Sequence, residues 1–368
     1  MRDIQVDTPA LLIDRKILRR NLTSMQEYAD RSGVNLRPHT KTHKMPKLAK
    51  MQLEAGAAGI TVAKVGEAEA MAEAGMDDIF IANQIIGRSK LERIRSLSGL
   101  VNVSFGVDSI YSVKEIEEVF EGADKKAEVL IEIEVGEKRS GVIRRDDFIT
   151  LLDEINNSRN VRFKGVFSHD GHTYKAATID LLKELYHESS ARTLEFAGIA
   201  RNHGMACEVV SIGSTPPSVL GFDIPEGITE IRPGTYILMD GSQANVLGHH
   251  DTCAATVLTT IISKPTHERV ITDVGAKGLT KEHRTEGLTA TEGLGKIVGF
   301  DEVYIDSVFD EHAIIYGEDF RNKVEIGDKV EVLMNHICPV SNLYDKAYIV
   351  EDGKVVEEVQ VSARGKLQ

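Results

Sequence analysis

The chain contains no tryptophan and only three cysteines, Cys207, Cys253 and Cys338, in 368 residues. An odd number of widely separated cysteines excludes a disulfide framework and favours a reducing compartment, so we expect a cytoplasmic protein. No uninterrupted apolar run approaches the roughly 20 residues that a membrane helix needs. The charged start of the chain also predicts no export signal. We therefore expect a protein that makes no contact with a membrane.

Basic charge is scarce as well, because 44 Lys and Arg stand against 57 Asp and Glu, a net charge of −13. Proteins that bind nucleic acid present basic stripes that neutralise phosphates, and this sequence has no such stripe. A hydrophobic content of 42% is too high for a disordered chain. The sequence therefore predicts a folded protein with no nucleic-acid partner, whose acidic charge serves solubility.

What is present is a regular alternation of short β-rich segments and longer segments of helical period, as far as residue 244. Alternation of this kind predicts parallel strands with crossover helices, and eight units favour a closed (β/α)₈ TIM-type barrel over an open doubly wound sheet. No G-x-G-x-x-G motif follows the first strand, which disfavours a dinucleotide-binding sheet. The predicted strands are Val34–Pro38, Gly59–Ala63, Ile79–Ala82, Val101–Val107, Val129–Val135, Arg162–Ser168, Glu208–Ile212 and Glu230–Leu238.

After residue 244 the pattern changes to strands separated by turn-like Gly, Asp and Asn, with no long helix. The segment Ala10–Ile13 also reads as a strand that pairs with this part. We therefore predict a barrel over residues 14–244 and a mostly-β domain formed by residues 1–13 and 245–368. The strands predicted for that domain are Ala254–Ile262, Arg269–Asp273, Glu302–Asp306, His312–Tyr316, Lys329–Leu333, Ala347–Val350 and Lys354–Val361.

The densest cluster of reactive side chains is Arg37-Pro38-His39-Thr40-Lys41-Thr42-His43-Lys44, at the end of the first predicted strand. Catalytic groups of such barrels lie at the C-terminal ends of the strands. Beside Arg37, Lys44 and two histidines that carry charge when protonated, Lys41 would have a lowered pKa. A neutral lysine amine attacks an aldehyde to form a Schiff base. A basic surface loop is the alternative interpretation.

A second cluster is the pair His336 and Cys338, which follows the predicted strand Lys329–Leu333. In an extended segment, residues two apart face the same side. Imidazole and thiolate together suit Zn²⁺, and two protein ligands leave positions for water or substrate. Taken alone, such a pair is a weak indication of a metal.

Further polar residues follow the later strands of the predicted barrel. Ser211–Pro216 and Arg232–Tyr236 fall where barrels commonly bind phosphate, although ordinary turns would explain their glycines equally well. Arg139 follows the fifth strand, and His169-Asp170-Gly171-His172 follows the sixth. Because all these loops belong to one end of one barrel, we expect their side chains to form a common site.

These stretches together resemble the D-threonine aldolase/D-serine dehydratase group of fold-type III pyridoxal-phosphate enzymes, nearly over the whole chain. The string R-P-H-x-K-T-H-K is highly specific to this group, and the terminal H-x-C agrees with it independently. The stretches that carry the resemblance are Asp7–Asp14, Arg37–Lys44, Asp170–His172, Ser211–Pro216, Ile231–Tyr236, Asp273–Lys277, Glu311–His312 and His336–Cys338.

The resemblance implies an alanine-racemase-like barrel with a C-terminal β domain, a homodimer, pyridoxal 5'-phosphate and a divalent metal, zinc being favoured over manganese or magnesium. Lys41 would carry the cofactor, Arg139 would lie near its hydroxyl, and His336 and Cys338 would bind the metal. His172 would be an acid/base group, whereas His169 stands where relatives often have Tyr. The other expected cofactor contacts are His39, Ser214, Thr215, Gly234, Thr235 and Tyr236.

The implied substrate is a small β-hydroxy-D-amino acid. Deprotonation of its hydroxyl, for example by His172, would give glycine and an aldehyde. Removal of the Cα proton by Lys41 would instead give a 2-oxo acid and ammonia. Cys338 resembles the dehydratases and Asn335–Asn342 resembles bacterial aldolases, and we expect the aldolase. An amino-acid racemase, which needs no metal, and a non-catalytic carrier of the cofactor, which lacks a β domain, are the remaining alternatives.

Overall fold

The computed structural model describes residues 4–368, so residues 1–3 of the predicted β domain lie outside the described part of the chain. Strand β1 (Ala10–Asp14) comes first and belongs to a β sheet described below. The strands of a second, parallel sheet are β2 (Asn35–Leu36), β3 (Ile60–Val62), β4 (Asp78–Gln84), β5 (Asn102–Val107), β6 (Ala127–Ile133), β7 (Val161–Ser168), β8 (Val209–Ile212) and β9 (Glu230–Ile231). The helices around this sheet are α1 (Arg15–Arg31), α2 (Pro46–Glu54), α3 (Val65–Glu73), α4 (Arg88–Ser98), α5 (Ile110–Val119), α6 (Arg145–Asn157), α7 (Ile179–Asn202), α8 (Thr215–Val219) and α9 (Gly241–Leu247).

The parallel sheet curls into a barrel. Its strands pair in the order β2–β9–β8–β7–β6–β5–β4–β3. The two ends of this order meet, because Ala58 N donates to Leu36 O at 2.9 Å and Thr61 N donates to Pro38 O at 2.8 Å. A parallel bridge between His39 and Thr61 continues the contact. The predicted TIM-type barrel is therefore confirmed.

Local sequence explains why the first barrel helix begins where it does. The Asp14 carboxylate accepts hydrogen bonds from the backbone N–H groups of Lys16 and Ile17, both at 3.0 Å, and so caps the helix. Leu18, Leu22 and other side chains at helical spacing are then buried against the sheet. The cap thus marks the residue at which β1, a strand of the second sheet, passes directly into α1, the first helix beside the barrel.

The second sheet holds β1 at its centre. This strand pairs antiparallel with β10 and parallel with β16, as the sequence predicted for Ala10–Ile13. The division of the chain at residues 14 and 244 stays a prediction. The remaining elements are β10 (Ala255–Ser263), α10 (Ala276–Leu279), β11 (Arg269–Thr272), β12 (Lys296–Ile297), β13 (Ser307–Val308), β14 (Ala313–Tyr316), α11 (Glu318–Lys323), β15 (Lys329–Leu333), α12 (Ile337–Ser341), β16 (Lys346–Glu351) and β17 (Lys354–Gln360).

Two predicted strands differ from the structure. The strand predicted over Glu230–Leu238 ends at Ile231, because Pro233 has no N–H for the ladder and the chain turns into a 3₁₀ helix at Thr235–Ile237. The strand predicted over Glu302–Asp306 is wrong. Glu302 has a φ of 53°, which breaks the extended backbone.

Cys207, Cys253 and Cys338 are all free thiols, as expected for a chain without a disulfide framework. Within residues 4–368, no helix combines the length and the apolar character that crossing a membrane would require.

Candidate active site

Lys41 lies directly after the first barrel strand, on a short 3₁₀ helix formed by Thr40–Thr42. The hydroxyl of Thr40 donates to Thr61 O at 3.0 Å, which fixes the loop to the neighbouring strand. On the other side, Ser341 Oγ donates to Thr42 O at 2.5 Å. The Lys41 loop is therefore held between the barrel and the β domain, at the C-terminal ends of the barrel strands.

A cavity opens at this end of the barrel, and the structure brings most of the predicted cofactor residues into its wall. Three basic side chains line it, the amine of Lys41 and the guanidinium groups of Arg139 and Arg232. Glu132 is the one carboxylate among the lining residues that the structure describes, and it lies 3.7 Å from Arg139. The wall therefore carries an excess of positive charge. The predicted residues that line it are His39, Lys41, Arg139, Ser214, Thr215, Gly234 and Thr235.

The electrostatics of the cavity favour a neutral amine. Burial lowers the pKa of Lys41, and Arg139 and Arg232 lower it further, although the nearby Cys338 thiolate opposes them. A lysine in this state is both a nucleophile and a base, which is what the sequence predicted for Lys41.

The neighbours predicted to cause this lowering are not its cause. Arg37 Nε donates to Glu230 at 2.7 Å, and Lys44 lies 3.0 Å from Glu67, so both charges are paired away from the cavity. Burial also lowers the pKa of His39 well below its usual range, and it lowers that of His43 to about 4. Both histidines are therefore neutral, and the cations that act on Lys41 come from distant strands.

Hydroxyl groups and close backbone contacts form one rim of the cavity. Ser214 Oγ donates to the buried carboxylate of Asp170 at 3.0 Å, and Thr215 Oγ1 accepts from Thr235 N at 3.1 Å. A Cβ atom at Gly234 would lie 2.9 Å from Thr42 Oγ1. Glycine at this position thus lets the rim approach the Lys41 loop closely, in a region suited to an oxyanion.

Arg232 forms the floor of the cavity. Its guanidinium donates to Ser211 Oγ at 2.6 Å and to Ser168 O at 2.7 Å, and it lies over the rings of Phe80 and Phe167. Burial lowers the pKa of Arg232 to about 10. The residue is therefore a fixed cation under the site.

The pair His336 and Cys338 lies beside the same loop. Cys338 Sγ is 3.3 Å from Thr42 Oγ1 and 3.7 Å from Thr235 Oγ1. The two side chains lie close enough to shift each other's pKa, although Ile337–Ser341 is a short helix and not the extended segment assumed from the sequence. His336 is the last extended residue before this helix, and Cys338 occupies the first turn. The pairing was thus correct, but its predicted geometry was wrong.

Each member of this pair changes the charge of the other. Burial raises the pKa of Cys338, but His336, Lys41 and Thr42 outweigh burial and lower it. Burial likewise lowers the pKa of His336, but the Cys338 thiolate and Glu282 outweigh it and raise the value to about 10. An imidazole and an adjacent thiolate have the chemistry of two zinc ligands.

A buried carboxylate holds this pair in place. Asp240, which is fully buried, accepts hydrogen bonds from Ile337 N at 3.0 Å and from Gln243 N at 2.9 Å. Ser242 Oγ donates to Asn335 O at 2.8 Å. The segment with His336 and Cys338 is therefore tied to the barrel through the start of α9.

Apart from His336 and Cys338, two predicted residues are not brought into the cavity wall. Tyr236 Oη accepts from Gln52 Nε2 at 3.0 Å behind the wall. The Nε2 atom of His172 lies 3.5 Å from Ser189 Oγ, and its buried Nδ1 has no hydrogen-bond partner among the residues described. His169, in contrast, does line the cavity, and its Nδ1–H donates to Gly213 O.

Sequence reasoning missed Arg232 as an individual site residue, and it missed Asp240, Tyr174 and Glu282. Arg232 stood in the recognised stretch Arg232–Tyr236, and its position directly after the last barrel strand was the available signal. The other three have no motif of their own, because their roles come from contacts with residues far along the chain.

Comparison with known proteins shows the family. Residues 13–241 match the family model of the alanine racemase N-terminal domain, and residues 254–350 match that of a putative serine dehydratase domain. A D-threonine aldolase from an Arthrobacter species is 31% identical over 98% of this chain and 93% of its own length. A D-threo-3-hydroxyaspartate dehydratase from a Delftia species is 30% identical over 91% of this chain and 92% of its own length.

Solved structures give the same result. The crystal structure of D-threonine aldolase from Filomicrobium marinum superposes with a TM-score of 0.90 at 29% identity, covering 99% of this chain and 97% of the other. A mutant of D-threo-3-hydroxyaspartate dehydratase with cysteine replaced by alanine, solved in a metal-free form, superposes with a TM-score of 0.88 at 27% identity, covering 97% of each chain.

Proposed function

This chain belongs to the alanine-racemase-like family of D-amino-acid lyases, which are pyridoxal-phosphate enzymes, and we propose that it is a metal-dependent lyase of D-threonine aldolase type. It would cleave the Cα–Cβ bond of β-hydroxy-D-amino acids to give glycine and an aldehyde. One observation carries this proposal: Cys338 Sγ lies 3.3 Å from Thr42, the residue next to Lys41. The group that would hold the cofactor and the pair that would hold a metal thus share one site.

The cavity fits pyridoxal phosphate in charge. The cofactor is anionic, and the wall carries two guanidinium groups, those of Arg139 and Arg232, against the one carboxylate of Glu132. The amine of Lys41 would hold its aldehyde carbon, and Arg139 would lie near its hydroxyl. The rim of Ser214, Thr215, Gly234 and Thr235 would hold its phosphate. When bound, the cofactor supplies an electron sink for the electron pair left on Cα.

His336 and Cys338 fit a divalent metal, with zinc favoured by the thiolate. Among residues 4–368 no cluster of three or more His, Cys, Asp or Glu side chains surrounds a common point, so water or substrate would complete the coordination. An open coordination position lets a metal act as a Lewis acid toward a hydroxyl oxygen. The metal-free cysteine variant of the related dehydratase supports a role for cysteine in such a site.

The protein's own groups then perform two tasks. Burial and Arg139 lower the pKa of Lys41, so its neutral amine can accept a proton from Cα, and the resulting ammonium can return a proton there. The fixed guanidinium of Arg232 and the rim hydroxyls orient the bound molecules. His172 remains our candidate for the group that accepts the β-hydroxyl proton, although its ring lies against Gly136, where an added Cβ would be 2.8 Å from Nε2.

A D-serine or D-threonine dehydratase is the second candidate, and Cys338 favours it, because a cysteine at this place resembles that branch of the family. In that reaction Lys41 removes the Cα proton and hydroxide leaves from Cβ, giving a 2-oxo acid and ammonia. The two reactions differ in the bond to Cα that breaks first, Cα–Cβ in the aldolase and Cα–H in the dehydratase. The dehydratase then also breaks the Cβ–O bond, and water releases ammonia from the resulting imine. The residues of the site serve both.

The products decide between these reactions. We expect the purified protein, loaded with pyridoxal phosphate and zinc, to convert D-threonine to glycine and acetaldehyde, and to lose this activity when zinc is removed by a chelator. Formation of 2-oxobutyrate from D-threonine, or of pyruvate from D-serine, with release of ammonia would overturn the aldolase. Full activity without metal, with interconversion of enantiomers, would indicate a racemase. Light scattering on the same sample tests the proposed homodimer.

A further inference from the structure

Glu282 belongs to the loop between α10 and β12 and lies next to the proposed metal ligands, although nothing in its sequence context marks it. Its two carboxylate oxygens lie 2.7 and 2.8 Å from His336 Nδ1, so that ring nitrogen carries the proton and donates it to Glu282. Nε2 of His336 is then the ring nitrogen that remains for a metal, which would displace the proton that Nε2 otherwise carries. Cys338 lies close enough to this ring to shift its pKa, so one metal can be shared by Nε2 and the thiolate.

The position of Glu282 is itself fixed from both ends. Its backbone O accepts from Asn335 Nδ2 at 3.0 Å, while its side chain binds the next residue, His336. Its backbone N donates to Thr280 Oγ1 at 3.2 Å. Two consecutive residues of the metal-binding segment thus hold one glutamate, by its main chain and by its carboxylate.

The loop that carries Glu282 also contacts the barrel wall. Thr289 Oγ1 donates to Tyr174 O at 2.8 Å, and the guanidinium of Arg284 lies 5.3 Å from the centre of the Tyr174 ring. Tyr174 lines the cavity that contains Lys41. The loop that holds the His336 ring is therefore attached to the wall of the cofactor cavity as well as to the β domain.

We propose that Glu282 is a positioning residue that holds the His336 ring with Nε2 toward Cys338 and thereby sets the affinity of the site for zinc. The inference rests on the metal site of the proposed function and deepens it. A carboxylate on the distal nitrogen of a ligating histidine fixes its tautomer and orientation and strengthens it as a ligand. Loss of such a partner typically costs about 10–100-fold in metal affinity.

The test compares three variants of the full, cofactor-loaded chain by competition for zinc with a chelating dye. Glu282→Ala removes the acceptor, and we expect its dissociation constant for zinc to rise about 10–100-fold. Glu282→Gln keeps an acceptor oxygen without the charge and should give a smaller loss. Glu286→Ala removes an exposed carboxylate of the same loop, which pairs with Lys175 at 3.2 Å, and should bind zinc as the wild type does.

A spectroscopic measurement separates positioning from a structural role. With Co²⁺ in place of zinc, we expect Glu282→Ala to alter the thiolate-to-metal charge-transfer band at metal concentrations that saturate the site. If Glu282 only stabilised the loop, the alanine variant would unfold at lower temperature without metal but bind zinc as tightly as the wild type, and that result would overturn the proposal. If Glu282→Ala does not fold, Glu282→Gln replaces it in the test. A wild-type affinity of Glu282→Gln for zinc, together with an unchanged thiolate-to-Co²⁺ band, then overturns the proposal. A wild type that takes up no zinc would refute the metal site itself, and the inference with it.

Discussion

Replacement of Gly234 by alanine tests whether the close approach of the rim to the Lys41 loop is needed for the cofactor. The φ of Gly234 is −115°, so alanine meets no backbone strain there, and its effect is steric alone. The new Cβ would lie 2.9 Å from Thr42 Oγ1 and 3.0 Å from His39 O. His39 O is a backbone atom and cannot rotate away, so the Lys41 loop must move.

The magnitude follows from the cost of overpacking, about 1–3 kcal/mol. If that cost falls on the loaded site, the dissociation constant for pyridoxal phosphate rises about 5- to 150-fold. Titration of the cofactor-free variant with pyridoxal phosphate, followed by its visible absorbance, measures this. Urea unfolding of the cofactor-free protein measures how much of the cost falls on the fold.

Gly198→Ala is the matched control. Gly198 lies in α7 with nothing within 4 Å of an added Cβ, so alanine there should leave cofactor affinity unchanged and raise the free energy of unfolding by about 0.5–1 kcal/mol. If Gly234→Ala binds the cofactor as tightly as the wild type and unfolds at the same urea concentration, the steric argument for this rim is refuted.

Three further changes have defined outcomes. His43 is fully buried and has a pKa of about 4, against 6.5 when exposed, so between these pH values the unfolded chain binds a proton that the folded chain does not. The free energy of unfolding should therefore fall as the pH drops from 6.5 to 4, by about 3 kcal/mol in total. His43→Gln should flatten this dependence in urea titrations between pH 7 and 4. Cys338→Ala should retain the yellow cofactor absorbance but lose bound zinc by elemental analysis, and loss of both would contradict separate binding groups. In Asp240→Asn one of two buried N–H groups, that of Ile337 or that of Gln243, faces an amide NH₂ and loses its acceptor. The free energy of unfolding, measured by thermal unfolding, should fall by about 1–3 kcal/mol. An unchanged stability would refute the role of Asp240 in holding the His336–Cys338 segment.

The sequence predicted the barrel well, because each parallel strand is a short apolar segment followed by a helix of clear period. Prediction was weaker where a strand is short and a turn follows. The chain after Ile231 has the composition of a strand, but Pro233 and the contacts of Gly234 with the Lys41 loop turn it into a 3₁₀ helix. Such contacts arise only after the barrel closes.

In the site, prediction succeeded for residues inside dense motifs and failed for their supports. Lys41 and Cys338 stand in recognisable strings, whereas Glu282 and Asp240 act on residues 54 and 97 positions away. The lowered pKa of Lys41 was expected, but the sequence neighbours Arg37 and Lys44 are paired elsewhere. The cations that act on the amine, Arg139 and Arg232, face it only because parallel strands end at one rim.

Reduction of the cofactor-loaded protein with borohydride, followed by digestion and peptide mass spectrometry, locates the lysine that holds the cofactor. We expect the added phosphopyridoxyl mass on the peptide that contains Lys41, and its complete absence from Lys41→Ala. Cofactor mass on another residue, such as Lys44 three residues further along the chain, or no adduct in a protein that still cleaves D-threonine, would contradict the assignment of Lys41 and the function built on it.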